Sequence, residues 1–357
     1  MNNLDDFVEL EKIDGGKLTG SIEAFTKQVS QAWEEASQVS FPPDYNKVEN
    51  IVVSGMGGSA LGPDILRNLF KDRLTKPFLI NNHYHLPAFV NEESLVVLSS
   101  YSGTTEEVLA AGDEAKRKRA KICVITEGGD LAEFAKTGGY PTYLFNPTNN
   151  PSGQPRLGLG YTFTGLLSIL NKLGLVLLGP EEVTEAVENA ESLGKKFLAA
   201  TPKEDNPAKQ MAINLFNSVI MIVASEFLSG NAHVFANQTN ENSKNFANYF
   251  LVPELNHHML EGNTHPASVK KDMSFLFLDS SLYTEKILKR ISITKEILGK
   301  EQVRVYSFQL SGKDQLTQVL EAILFSSWVT FYLGVLYDVD PVKIPWVDYF
   351  KEQLEKS

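Results

Sequence analysis

The sequence predicts an α/β protein of two domains, each a parallel sheet flanked by helices on both faces. Short apolar runs alternate with helical patterns through the first half, and strands spaced by helices imply βαβ units. The alternation recurs, more loosely, in the second half. With 357 residues, 43% hydrophobic and 22% charged, the chain is long and apolar enough to bury two cores.

In chain order, apolar runs at 50–54, 77–80, 95–99, 121–126 and 142–145 read as the strands of the first sheet. Helical patterns near 60–70, 105–118 and 130–137 separate them. The only cysteine, Cys123, falls inside the run at 121–126, so no intrachain disulfide can form, and it reads as a small buried hydrophobe. A hydrophobic helix over 163–173 ends at Gly174. An amphipathic, charged helix near 181–200 stands between the halves. Strands at 218–224, 248–252, 274–279 and 302–308 then alternate with helices near 232–246, 284–298 and 313–337. A last helix, 346–355, follows the breaker Asp340-Pro341. The predicted division is a first domain over 1–178, a connecting helix over 179–204 and a second domain over 205–357.

A net charge of −11 argues against a nucleic-acid footprint and against binding to an anionic membrane surface. It does not oppose one small anion, which local donors decide. The N-terminus, Met-Asn-Asn-Leu-Asp-Asp, is acidic where a secretory leader would be basic and then apolar. No apolar run reaches the length of a membrane span. These features set the expectation of a cytoplasmic protein.

The most informative stretch is Val96–Glu107. An apolar strand stops in a cluster of hydroxyls, Ser99, Ser100, Ser102, Thr104 and Thr105, wrapped around Gly103. A helix with Glu106 and Glu107 in its first turn follows at once. Such a turn offers backbone N–H groups, hydroxyl donors and a positive helix end together, which suits a phosphate dianion without a lysine. A second strand-to-helix turn, Gly55-Met56-Gly57-Gly58-Ser59, lets the backbone approach a ligand closely. It only partly matches a dinucleotide fingerprint: Ala60 stands where the third glycine belongs, and no acid closes a strand about 20 residues on.

The second half carries the reactive groups. Glu241 lies among amides in Asn240-Glu241-Asn242-Ser243-Lys244 on a predicted helix, and His257 follows the next strand in Pro253-Glu254-Leu255-Asn256-His257-His258. A carboxylate and an imidazole are the pair needed to move a carbon-bound proton and shuttle another to oxygen. The plainer alternative for Glu241 is a solvated helix face, with Lys244 three residues on as a possible ion-pair partner. His257, His258 and His265 cluster in sequence but lack the further ligand a zinc site needs. Arg156, isolated in Pro155-Arg156-Leu157-Gly158, suits either an oxyanion or a free carbonyl.

Taken together, Gly55–Ser59, Ser100–Glu107, Pro155-Arg156, Asn240–Lys244, Pro253–His257 and Asp340-Pro341 follow the order of one family. Over residues 15–355 the chain resembles the bifunctional phosphoglucose/phosphomannose isomerases, built from two SIS (sugar isomerase) domains. The resemblance implies that Ser59, Ser100, Ser102 and Thr105 hold a sugar phosphate, with backbone contacts from Gly57 and Gly58. It implies that Glu241 is the base moving a proton between C1 and C2 through a cis-enediol, and that Arg156 steadies the enediolate. His257, reached from the partner subunit of a homodimer, would help open the sugar ring, with Lys351 nearby. The family uses no metal or other cofactor.

The chain departs from the family at Thr104, which stands where asparagine is usual, and at Asn81-Asn82-His83-Tyr84, where a strand usually exits in aspartate. His233 and Ala236 stand where arginine and lysine are usual. Val342-Lys343-Ile344-Pro345 lacks the threonine or glutamine associated with handling C2 epimers. Two rivals share the anchor: a sugar-phosphate-sensing SIS module without turnover, and an isomerase of another phosphosugar. A sensor needs the anchor but not the base.

Overall fold

The computed structural model describes residues 3–356. Strands β1 (Asn50–Ser54), β2 (Phe78–Asn81), β3 (Ser94–Ser99), β4 (Lys121–Thr126) and β5 (Thr142–Leu144) form a parallel sheet in the order β2-β1-β3-β4-β5. A second parallel sheet takes β6 (Val219–Ser225), β7 (Ala247–Val252), β8 (Met273–Asp279) and β9 (Arg304–Gln309) in the order β7-β6-β8-β9. Each predicted strand is present within two residues of its expected ends. The central strands β3 and β8 read as nearly continuous apolar runs because helices cover both their faces. Edge strands β2 and β9 are only partly covered, and their residues are mostly half-buried or exposed.

The helices are α1 (Phe7–Ile13), α2 (Leu18–Glu23), α3 (Phe25–Ser37), α4 (Gly58–Leu69), α5 (Glu106–Arg117), α6 (Gly129–Gly138) and α7 (Leu159–Lys172). They continue with α8 (Pro180–Gly194), α9 (Pro207–Leu215), α10 (Ser229–Ser243), α11 (Val269–Asp272), α12 (Glu285–Lys300), α13 (Gln315–Leu336) and α14 (Pro345–Glu355). Sequence alternation did not announce α1–α3 or α9. Helix α3 buries Phe25, Val29, Ala32 and Ala36 at helical spacing, but its buried face also carries Thr26 and Gln28, which dilutes the apolar signal. Those polar groups have work in the tertiary structure. The buried Gln28 side chain donates to the carbonyls of Asn149 (3.0 Å) and Leu157 (2.9 Å). It thereby fixes the segment that carries Arg156.

One expectation needs correction. Helix α13 is long and apolar enough to cross a membrane, with a mean hydropathy of 1.7 over its most apolar stretch. All of that stretch is buried inside the protein, packed by α2, α8, α9 and α10. A helix wrapped by protein on every side is apolar all round for the same reason that a membrane span is. Its one carboxylate is satisfied internally: buried Glu321 accepts from Lys196 (3.0 Å) and from the backbone of Ser311 and Gly312.

The two halves of the chain meet where α10 lies against α4. The N-terminal segment also reaches the second half, where Asp5 pairs with the buried Lys209 ammonium on α9 (2.8 Å). Cys123 is fully buried in β4, and burial pushes its thiol up to about 12.

Candidate active site

In the first sheet the chain runs from β1 outward to β2 and from β3 outward to β4 and β5. A crevice therefore opens beyond the carboxyl ends of β1 and β3, the switch point where α/β sheets place ligands. The two hydroxyl- and glycine-rich turns lie at those ends. Gly57 holds φ +49°, which favours glycine, and its neighbour Gly58 begins α4. A Cβ on Gly58 would fall 2.8 Å from the Pro155 carbonyl and 2.9 Å from the Arg156 nitrogen. Only glycine lets the Arg156 turn close on the start of α4.

The hydroxyls are organised before any ligand arrives. Ser59 lies inside the first turn of α4, two residues past the N-cap Gly57, and its Oγ accepts from the Tyr101 N–H at 2.8 Å. That leaves the hydroxyl proton of Ser59 free to donate. Ser100 Oγ accepts from Gly103 N–H (3.1 Å) and shares a 2.7 Å hydrogen bond with Thr105 Oγ1. Ser102 and Thr104 are exposed and share a 3.0 Å bond. Gly103 (φ +73°) is also pinned against the turn after β4, where a Cβ would strike the Gly128 carbonyl at 1.8 Å. Gly128 and Gly129 thus brace the hydroxyl-rich turn from the neighbouring strand, a role sequence reasoning did not assign. A paired glycine at a strand end was the signal for it.

Arg156 joins the two halves of the site. It is almost wholly buried, and each of its nitrogens has a partner. Nε donates to Asn242 Oδ1 (2.7 Å), Nη1 to Gln154 Oε1 (2.7 Å) and Glu241 Oε2 (3.2 Å), and Nη2 to the Pro341 (2.8 Å) and Val342 (3.0 Å) carbonyls. Of the two roles read from sequence, carbonyl capping and charge stabilisation, the geometry permits both at once. Burial holds its pKa below the ordinary guanidinium value, although Glu241 pulls the other way. Gln154 and Asn242, missed as site residues, fix the plane of this guanidinium.

Glu241 lies at the C-terminal end of α10, half-buried, which removes the solvated-face alternative. Burial raises its pKa above the ordinary carboxylate value, while Arg156, Lys244 and Lys351 oppose the rise. Lys244 is not its ion-pair partner. The Lys244 ammonium donates instead to the Glu241 (2.9 Å) and Asp340 carbonyls, closing the end of α10, and burial with the nearby Arg156 lowers it to about 8. Lys351, exposed on α14, stands close enough to act electrostatically on Glu241, and Asp348 of the same helix acts on Arg156.

His257 is not in this cluster. It sits exposed on the short turn Glu254–His257 after β7. No hydrogen bond or ion pair among the described residues joins it to Glu241 or Arg156. His258 pairs with Glu254 (2.7 Å), and no group of three His, Cys, Asp or Glu side chains among the described residues is placed to hold a metal ion. Several departures from the family pattern have structural partners. Asn82 Nδ2 donates to the Gly55 carbonyl (2.6 Å), and His233 Nδ1 meets Asp64 Oδ2 at 2.9 Å while its ring stacks on Tyr249.

Two parallel-sheet domains, with a hydroxyl-lined crevice at the switch point of the first and a carboxylate brought to it from the second, define a two-domain SIS protein. Residues 204–354 match the family model described as the bacterial phospho-glucose isomerase C-terminal SIS domain. The chain belongs to the bifunctional phosphoglucose/phosphomannose isomerase family. It is 33% identical to the bifunctional phosphoglucose/phosphomannose isomerase of Caldicellulosiruptor bescii, covering 94% of this chain and 98% of that one. It is 30% identical to the protein of that name from Aquifex aeolicus, over 94% and 97%. Among solved structures, a hypothetical protein of Thermus thermophilus superposes with a TM-score of 0.68 at 19% identity, over 98% of this chain and 90% of that one. That likeness is one of fold.

Proposed function

We propose that this chain is an aldose–ketose isomerase that interconverts glucose 6-phosphate, and mannose 6-phosphate, with fructose 6-phosphate. The observation that carries the reading is the half-buried Glu241 carboxylate, held 3.2 Å from the buried Arg156 guanidinium beside the hydroxyl turns. Ser59, Ser100, Ser102 and Thr105 anchor the phosphate, with the backbone at Gly57 and Gly58. Glu241 removes the proton at C2 of the open aldose and returns it to C1. The carbonyl moves from C1 to C2 through a cis-enediol as O1 gains a proton and O2 loses one, with no net gain or loss of electrons. Arg156 balances the negative charge that develops on the enediolate. C2 is planar in that intermediate, so a proton returned to either face yields either epimer. The division of the chain into 1–178, 179–204 and 205–357 belongs to the same reading. So does a cytoplasmic homodimer in which His257 enters the partner's site, with Lys351 nearby, to open the ring.

A coupled assay with glucose 6-phosphate, mannose 6-phosphate and buffer alone tests the reading directly. Turnover of neither sugar would leave the sensing module or another phosphosugar in its place. For the anchor, losing one donor to a phosphate dianion costs about 1.5–3 kcal/mol. Ser102→Ala and Thr105→Ala should each raise the half-saturating substrate concentration about tenfold or more. Calorimetry that gave fructose and fructose 6-phosphate equal affinity would remove phosphate as the anchor.

The base also predicts a pH dependence. With its pKa raised by burial, Glu241 is active above that pKa and loses its proton-accepting form as pH falls through it. The acid limb of kcat/KM should therefore lie above about 4.3, the ordinary glutamate value. A profile still flat at that pH would show that another group accepts the proton.

A further inference from the structure

Helix α10 ends on Lys244, whose φ of +54° and ψ of +22° are left-handed. Helices commonly stop that way on glycine. A lysine there adds an arm that glycine lacks. Its ammonium turns back and donates to the Glu241 carbonyl at 2.9 Å and, more weakly, to the Asn242 carbonyl at 3.5 Å. It also crosses to the Asp340 carbonyl, in the segment between α13 and α14.

Arg156 holds the same segment, donating from Nη2 to the next two carbonyls, Pro341 at 2.8 Å and Val342 at 3.0 Å. Three successive carbonyls are thus gripped by two cations. The Asp340 carboxylate is engaged elsewhere, with the Val342 N–H (2.9 Å) and Lys343 (3.2 Å). Both gripping cations also act on the Glu241 carboxylate, Arg156 in contact at 3.2 Å and Lys244 through space.

We propose that Lys244 is a positioning residue for the Glu241 carboxylate. Its charged arm ties the end of α10 to the 340–342 segment, which Arg156 also holds, and so keeps carboxylate and guanidinium in register. The inference rests on the reading of Glu241 as the base and deepens it. The last carbonyls of a helix need donors, and Glu241 lies in that last turn. Misplacing a reacting group by about 1 Å costs up to about 10²-fold in rate. Lys244 is open to solvent, so bulk pH reaches the tie. Partial burial and the Arg156 charge lower its pKa to about 8, with Asp340 and Glu241 opposing. Lys343 and Asp14 face Asp340, and Lys351 and Asp348 of α14 act on Glu241 and Arg156. As pH rises through about 8 the arm loses its charge and one donor, and the tie slackens.

Two substitutions separate positioning from mere support of the fold. Lys244→Gly should fold, by circular dichroism, because the left-handed position suits glycine. It should nevertheless lower kcat about tenfold or more, with KM held within about twofold. Lys244→Arg keeps a charge at every working pH and should recover most of that loss. It should also move the alkaline limb of kcat/KM upward from about 8. Hydrogen–deuterium exchange reads the tie without turnover. The 340–343 stretch should exchange faster in Lys244→Gly than in the parent, and at the parental rate in Lys244→Arg. Unchanged kcat in folded Lys244→Gly, or an alkaline limb that Lys244→Arg leaves in place, would overturn the positioning role. Equal exchange in all three proteins would overturn the tie itself. A parent that turned over neither sugar phosphate, yet showed the exchange difference, would remove the isomerase reading and still uphold Lys244 as the tie beside Glu241.

Discussion

Glu241→Gln is expected to lower turnover by about 10² or more while sugar phosphate still binds, because general-base catalysis contributes about 10²–10⁴. The substitution keeps shape and can still accept from Arg156, which holds the present carboxylate at 3.2 Å. It removes the group able to take a proton from carbon. A hundredfold loss corresponds to about 2.7 kcal/mol of transition-state stabilisation. Steady-state kinetics beside calorimetry separates the two effects: kcat should fall and affinity should hold. Near-normal turnover would move the proton transfer to another group and return the sensing module to consideration. Arg156 makes a poor probe of the same step, since its removal would strand the Asn242, Gln154, Pro341 and Val342 acceptors in the interior.

The second large effect is complementation between two damaged chains. Homodimers of Glu241→Gln and of His257→Ala should each be impaired. If His257 serves the partner's site, one site of a mixed dimer collects both lesions and the other is intact. Random pairing of equal amounts makes half the dimers mixed, with one good site in each, so about a quarter of parental activity should return. Each variant refolded alone is the control. No recovery, where mass spectrometry shows that mixed dimers formed, would mean that the histidine acts within its own chain. The exposed position of His257, with no bond to Glu241, motivates the experiment.

Much of the fold was legible because its signals are local. The run Leu95–Ser99 is buried on both faces, which demands apolar residues throughout, and the hydroxyl turn after it follows from strand meeting helix. Helix α3 was not legible, since the Gln28 on its buried face finds its partners at Asn149 and Leu157, more than a hundred residues away. Helix α13 was located correctly, yet composition could not separate a wrapped core helix from a span. The difference lies in what surrounds it.

The candidate site divides the same way. The hydroxyl- and glycine-rich turns and the lone glutamate could be singled out from sequence, because each is a short run of unusual residue types. Sequence alone left Glu241 with Lys244 as a partner and Arg156 with two roles. Tertiary packing resolved both. The arm of Lys244 turns back to carbonyls at the end of α10, and close approach at Gly58 brings Arg156 to Glu241 from 85 residues away. Residue types along one segment are set by local backbone and solvent demands, so they can be read in order. A charge pair depends on which segments fold against each other, so only the assembled chain could decide it.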